Sequence, residues 1–178
     1  MHAQVYALIL SVLVSLGGVG EEPADNPFSK FFGEWTLKDD TFQQVWDGET
    51  VETLTIENHY TNCQPINTDM SVLCVVDAGG LNGHILWTYD SDQERVHHLS
   101  HFGTSRNGVG SGTLNGNADL TTRVSFQGEP AGSYRIYEYT WVSEDEYTMM
   151  SRQYDESGEP TGNWYGGTFV RVPSTVQP

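Results

Sequence analysis

The chain has 178 residues, of which 24 are acidic and 8 basic, for a formal charge of -16. That length suits one domain with a real hydrophobic core, and a charge of this sign repels phosphate backbones and anionic headgroups, which excludes nucleic acid as a partner. The carboxylates are scattered and form no acidic tail, so their first consequence is solubility.

In chain order, the first feature is an apolar run from Val5 to Leu16, followed by Gly17, Gly18, Val19 and Gly20 and then by Glu21 and Glu22. The pattern predicts a signal peptide over residues 1–20 and a single domain over 21–178. The run is too short to cross a bilayer comfortably, so no stable membrane span is expected once it is removed. A secreted or periplasmic location follows.

Asn26 and Pro27 then form a cap and first-turn pair, and Phe28, Phe31 and Phe32 fall at i, i+3 and i+4, which predicts one short amphipathic helix ended by Gly33. From Glu34 onward the sequence is rich in Thr, Val, Tyr and Trp and punctuated by Gly, Asn and Asp, with no sustained helical period. Strands are predicted near Trp35 to Asp40, Val51 to Thr61, Ser71 to Asp77, His84 to Asp90 and Arg95 to Phe102. Others follow near Gly108 to Leu114, Leu120 to Gln127, Tyr134 to Val142, Tyr147 to Tyr154 and Trp164 to Val172. Their connections are short, so the fold class is all-β: a closed or nearly closed antiparallel meander barrel of about ten strands, which also removes exposed sheet edges.

Cys63 and Cys74 flank a turn-rich stretch and either pair across a hairpin or remain two buried thiols; the sequence leaves both open. Asp90, Asp92 and Glu94 have the alternating oxygens of a calcium loop, but Arg95 stands where such a loop needs Gly, so a solvated hairpin turn is expected. Gly108, Gly110 and Gly112 lead into strand and lack a Walker lysine, which predicts a bend or bulge and no phosphate cradle. His97, His98 and His101 cluster on one strand, yet His97 and His101 would lie about 13 Å apart on one face, too far for one ion. No metal and no cofactor is expected.

The stretch from Asn26 to Trp35, with Gly33-x-Trp35 at its end, is similar to the lipocalin opening, where a short helix leads into a Gly-x-Trp on the first strand. Thr168 to Val172 places Arg171 where calycin folds put an arginine to stack on that Trp and close the barrel base. A closer resemblance is to the bacterial calycin-like family known as domain of unknown function 1579 (DUF1579). It rests on Gly33-x-Trp35, the turn at Tyr89 and Asp90, Gly103, and the closing aromatic-x-Arg of Phe169 to Arg171, and it runs from about Phe28 to Val172. The resemblance implies a calycin-like barrel with Gly33, Trp35 and Arg171 in structural roles, and it brings no activity and no catalytic residues.

Alternation decides which side chains enter such a barrel. It places inward Trp87 and Tyr89; His98, Ser100 and Phe102; Arg135, Tyr137, Tyr139 and Trp141; and Tyr147 and Met149. These would line an aromatic cavity with a few polar handles, the makeup of a small-molecule site. A buried Arg135 needs an internal acid or a ligand anion, and we expect it to hold the carboxylate of an apolar ligand with Tyr137 and His98 nearby. The leading expectation is thus a barrel that binds a small apolar or amphipathic molecule. The alternatives are a barrel isomerase, cyclase or hydratase using His98, Tyr137 or Glu138 for proton transfer, and a ligand-free structural or interaction module.

Overall fold

A computed structural model describes residues 26–66 and 70–173, and the signal peptide read over residues 1–20 lies outside them. Polar turn residues recur at short intervals in this Thr-, Val- and aromatic-rich sequence, so the chain folds as hairpin after hairpin. Among the described residues the strands are β1 (Gly33–Val45), β2 (Glu52–Thr55), β3 (Tyr60–Pro65), β4 (Ser71–Ala78), β5 (Leu81–Asp90) and β6 (Arg95–Phe102). They continue with β7 (Arg106–Leu114), β8 (Leu120–Phe126), β9 (Tyr134–Ser143), β10 (Glu146–Tyr154) and β11 (Pro160–Arg171). From β3 to β11 each strand pairs antiparallel with the next, and β11 pairs back onto β1. β2 and β3 lie end to end along β1, β2 against Thr41 to Gln44 and β3 against Gly33 to Trp35. They share one position, so the wall is a closed ten-strand barrel, and this architecture fits a calycin-like fold.

The strand expected over Val51 to Thr61 is therefore two strands. Asn58 takes a left-handed conformation, φ 59°, between them, and on β1 Asp39 and Asp40 do the same at φ 54° and 51°. The β1–β11 register shifts between Leu37 and Phe42 at that corner. One half of β1 thus follows β3 and the other follows β2. Short polar side chains tolerate this backbone region, and a bulge increases the local bend.

The expected amphipathic helix is instead a single 3₁₀ turn, Ser29–Phe31. Asn26 Oδ1 accepts from the Phe28 N–H at 2.9 Å, and Phe28 and Phe31, three apart, point the same way into the barrel. The glycines of β7 also play a different part from the one expected. No register shift interrupts β7 against β6 or β8, so there is no bulge. Gly110 and Gly112 sit where a Cβ would collide with the Arg123 and Thr121 backbone of β8, and their bare faces allow that close approach.

Strand alternation is clearest on β8, where Leu120, Thr122, Val124 and Phe126 are buried and the residues between them are exposed. Cys63 and Cys74 face each other in the β3–β4 ladder with Cα atoms 3.9 Å apart and are disulfide-bonded, which settles the alternative left open above. Asp90 and Asp155 end their strands in the same way: each Oδ1 accepts from backbone N–H groups two residues on and beyond, as Asx turns do.

The base of the barrel is shut by aromatic packing around the 3₁₀ turn. Trp35 is fully buried, its Nε1 donates to the Phe31 carbonyl at 2.8 Å, and its ring lies 4.8 Å from Tyr147 and 5.7 Å from Trp141. Arg171, directly opposite Trp35 in the β1–β11 ladder, puts its guanidinium carbon 4.2 Å from the indole centroid. Its Nη1 donates to the Phe32 carbonyl and its Nε to Asp145 Oδ1 at 2.8 Å. The seam, the 3₁₀ turn and the β9–β10 turn are thereby held by one planar, five-donor side chain. Gly33 has φ +109°, and a Cβ there would lie 3.1 Å from Arg171 Nη1, so glycine is required beside the clasp.

Candidate functional site

Above the aromatic base the interior is hollow. A cavity of about 560 Å³ runs from Trp87, Tyr139 and Tyr147 at its floor to Phe42, Trp46, Leu81, Phe102 and Arg106 at the opposite end of the strands. Its walls are mostly aliphatic and aromatic, and the Cys63–Cys74 disulfide forms part of them. The divided strand shapes the opening. Among the described residues β2 pairs only with β1, and Leu54, Thr55 and Ile56 line the cavity beside Ala78 at the end of β4 and Gly79 in the β4–β5 turn.

Among the side chains placed inward by alternation, Trp87, Phe102, Tyr137, Tyr139, Tyr147 and Met149 line this cavity. Trp141 belongs to the base, 5.0 Å ring to ring from Phe31, with its Nε1 donating to the Ala118 carbonyl. Tyr89 packs against the core from the Asp90 end of β5, and Ser100 is buried against Gly108. His98 is also buried away from the cavity. Its Nδ1 accepts from Trp87 Nε1 at 2.9 Å and its ring stacks 6.1 Å from Tyr137. Burial pushes the His98 pKa down to about 4, so at neutral pH it is an uncharged acceptor. Glu138 points outward and pairs with Arg152, remote from the lumen.

Arg135 is fully buried at the mouth but does not line the cavity. Its Nε donates to Glu129 Oε1 at 2.8 Å, and its guanidinium carbon lies 4.9 Å from both the Trp46 and Tyr165 centroids. The acid that a buried arginine requires is thus internal. Glu129, on the β8–β9 connection, fills the place that the sequence alone assigns to a ligand carboxylate.

Several lining residues have no counterpart in the sequence reading. Phe42 and Trp46 follow the Asp39–Asp40 corner, Tyr165 and Phe169 come from β11, and Arg106 opens β7 on the same face as Gly108. The Tyr165 hydroxyl is hydrogen-bonded to that of Tyr137. Burial, with Tyr165 beside it, raises the Tyr137 pKa well above the ordinary value, and burial does the same for Tyr139. These phenols stay protonated and can donate. His59 lines the wall with its Nδ1 buried and without a hydrogen-bond partner among the described residues; burial lowers its pKa against an opposing pull from Asp77. For Arg106, burial works against the charge, but the Glu129 carboxylate bonded to it favours it, and the balance holds its pKa above the usual value.

Among the described residues no group of three or more His, Cys, Asp or Glu side chains is placed to hold a metal ion. His97 and His101 face outward on β6 while His98 faces in, so the sequence cluster is divided between two sides of the wall.

No family model matches the chain, and no curated protein matches it in sequence. Among solved structures the chain has distant likenesses. The protein EF1p2_mFAP2b bound to DFHBI is 12% identical over 83% of this chain and 98% of its own, with a TM-score of 0.37. A protein of unknown function from the DUF3598 family of Nostoc punctiforme is 11% identical over the same shares, with a TM-score of 0.22. Likenesses this distant carry no functional argument, and the cavity must be read from its own residues.

Proposed function

We propose that this chain is a carrier or receptor that holds a small apolar or amphipathic molecule inside its barrel. The observation that supports the reading is the cavity itself. Its volume of about 560 Å³ falls within the roughly 300–1,000 Å³ of small-molecule sites, and its lining has their composition, an apolar wall with a few convergent polar groups. A filled barrel interior would have interdigitated side chains across the same space.

Two finer readings accompany it. The apolar run before Glu21 supports export, which would make the barrel secreted or periplasmic. The Gly33-x-Trp35 and Phe169-x-Arg171 pair supports kinship with the DUF1579 group.

The test is a titration with a neutral fluorescent probe, N-phenyl-1-naphthylamine, whose emission rises in apolar surroundings. The folded protein should bind one equivalent saturably, and Val76→Trp, which fills the cavity from its wall, should weaken that binding at least about tenfold while near-UV circular dichroism shows a folded barrel. Binding that ignores a folded Val76→Trp variant, or no binding at all, would remove the reading.

A further inference from the structure

Among the described residues no acidic side chain lines the cavity, and the one charged side chain that does is Arg106. In a protein of formal charge -16 this is an inversion of sign at one place. The inversion is built by sharing. Arg106 Nη2 and Arg135 Nε donate to the same Glu129 oxygen, at 2.9 and 2.8 Å, and Gln153 Nε2 reaches the other oxygen at 3.4 Å. Two guanidiniums on one carboxylate leave one positive charge in excess.

The two arginines hold that excess differently. Arg135 is completely buried, its Nη1 and Nη2 have no hydrogen-bond partner among the described residues, and Trp46 and Tyr165 lie against it. It cannot turn to the lumen without breaking its bond to Glu129, and it keeps that carboxylate engaged. Arg106 stacks over Phe126 at 4.2 Å, keeps about a third of its side chain accessible, and faces the cavity beside Tyr137 and Tyr165. Those two hydroxyls bond to each other, which uses one phenolic hydrogen and leaves the second to donate. The mouth therefore offers donors in excess of acceptors and positive charge in excess of negative. A neutral ligand would leave these donors unanswered at a cost, whereas a charged acceptor answers them with charge-assisted bonds.

We propose that the molecule held in the barrel is an organic anion, with an apolar ring- or chain-bearing body in the cavity and one acidic oxygen group at the mouth on Arg106 and the Tyr137–Tyr165 hydroxyl pair. This rests on the cavity-binding reading above. Arg135 and Glu129 are positioning residues, which orient Arg106 and withhold full neutralisation from it. The net charge of -16 disfavours anions over the surface in general, so the excess positive charge at the mouth makes the discrimination local.

The experiment compares N-phenyl-1-naphthylamine with 1-anilinonaphthalene-8-sulfonate, which carries the same rings and one sulfonate. It reads the ratio of their dissociation constants, so a general effect of a substitution on binding cancels. In the unsubstituted protein the sulfonate should bind about tenfold tighter or more, the scale of a charge-assisted hydrogen bond. Arg106→Met should bring the ratio to about one or reverse it, and Arg106→Lys, which keeps the charge without the fork, should retain part of the preference. If the neutral probe binds and the sulfonate binds no tighter, or if its preference survives Arg106→Met, the anion proposal is overturned while the cavity reading stands. If the neutral probe fails to bind, the cavity reading falls and the anion proposal falls with it.

Discussion

At the base of the barrel Phe31, Trp35, Trp141 and Tyr147 meet ring to ring at 4.8–5.7 Å, whereas at the mouth Phe42, Trp46, Phe102 and Tyr165 line about 560 Å³ of space. Residue type does not separate the two ends, since both are aromatic. The difference lies in what the chain brings to each. The base receives a plug from outside the strand set, the Phe28 to Phe31 turn, together with an arginine that joins the first strand to the last. The mouth receives a left-handed corner at Asp39 and Asp40 and a strand position divided between β2 and β3, which lead the wall away from its opposite side. Aromatic side chains become core where a third layer presses on them and become a lining where none does.

If the base carries the stability, the largest effect of any single truncation described here should be Trp35→Ala. It deletes the side chain at the centre of the plug and leaves Arg171 without its indole, and we expect a loss of about 3–5 kcal/mol, read from the urea unfolding midpoint. A loss under about 1 kcal/mol would mean that the seam holds without its clasp, and the contrast between the ends would collapse.

Acid should attack the buried wall between the two ends. His98 has a folded pKa pushed down to about 4 by burial, below its ordinary value near 6.5. The unfolded chain therefore binds a proton first as pH falls. The stability conferred by neutral His98 is complete above about pH 6.5 and is lost as the pH drops toward 4, by at most about 3 kcal/mol. His59 shifts in the same direction and adds to the slope. Unfolding midpoints at pH 7 and pH 5 should differ in the native protein and differ less in His98→Gln; equal slopes in the two would show that His98 is not the group responsible.

Reducing the Cys63–Cys74 bond should cost about 2–3 kcal/mol, as expected for a loop of this length, and lower the melting temperature by several degrees. The bond lies in the cavity wall and ties β3 to β4 opposite Gly33, so it braces the wall where the cavity meets the base. A melting temperature unchanged by reductant would show that the β3–β4 ladder needs no brace there.

Much of this contrast was legible in the sequence, and the limits of what was legible have physical causes. Alternation along Arg135, Tyr137, Tyr139 and Trp141 marks the buried face of β9, because a strand packed on one side can hide only every second residue. The seam was legible only through the resemblance of Gly33-x-Trp35 and Arg171 to the opening and closing strands of calycin folds, since the pairing of Trp35 with Arg171 joins the two ends of the barrel wall. The division of the strand expected over Val51 to Thr61 was not legible: Ile56, Glu57 and Asn58 break the ladder only because β1 bends opposite them, a tertiary effect. Nor was Glu129. It sits on a connection six residues before Arg135, and no periodicity governs how a loop folds back over a barrel mouth. Arg106 was within reach, since it shares parity with Gly108 and Gly110, but three glycines with no side chain to bury hid the inward face of β7.

The smallest effect on stability should come from the most conspicuous aromatic at the mouth. Trp46 is 47% exposed, so much of its surface is never withdrawn from water, and Trp46→Ala should cost no more than about 1 kcal/mol. Its optical effect should be larger. Of the other four tryptophans Trp35, Trp87 and Trp141 are buried and Trp164 is half-buried, so removing Trp46 should shift the mean indole emission to shorter wavelength and reduce quenching by iodide. The same change uncovers Arg135, whose guanidinium carbon lies 4.9 Å from the Trp46 ring, and gives its unpartnered nitrogens access to water. The two ends thus differ in a measurable way: one tryptophan is needed for folding and the other covers a charge. A loss near 3 kcal/mol on Trp46→Ala, equal to that at the base, would mean that the mouth is a second core and the space beneath it a packing defect.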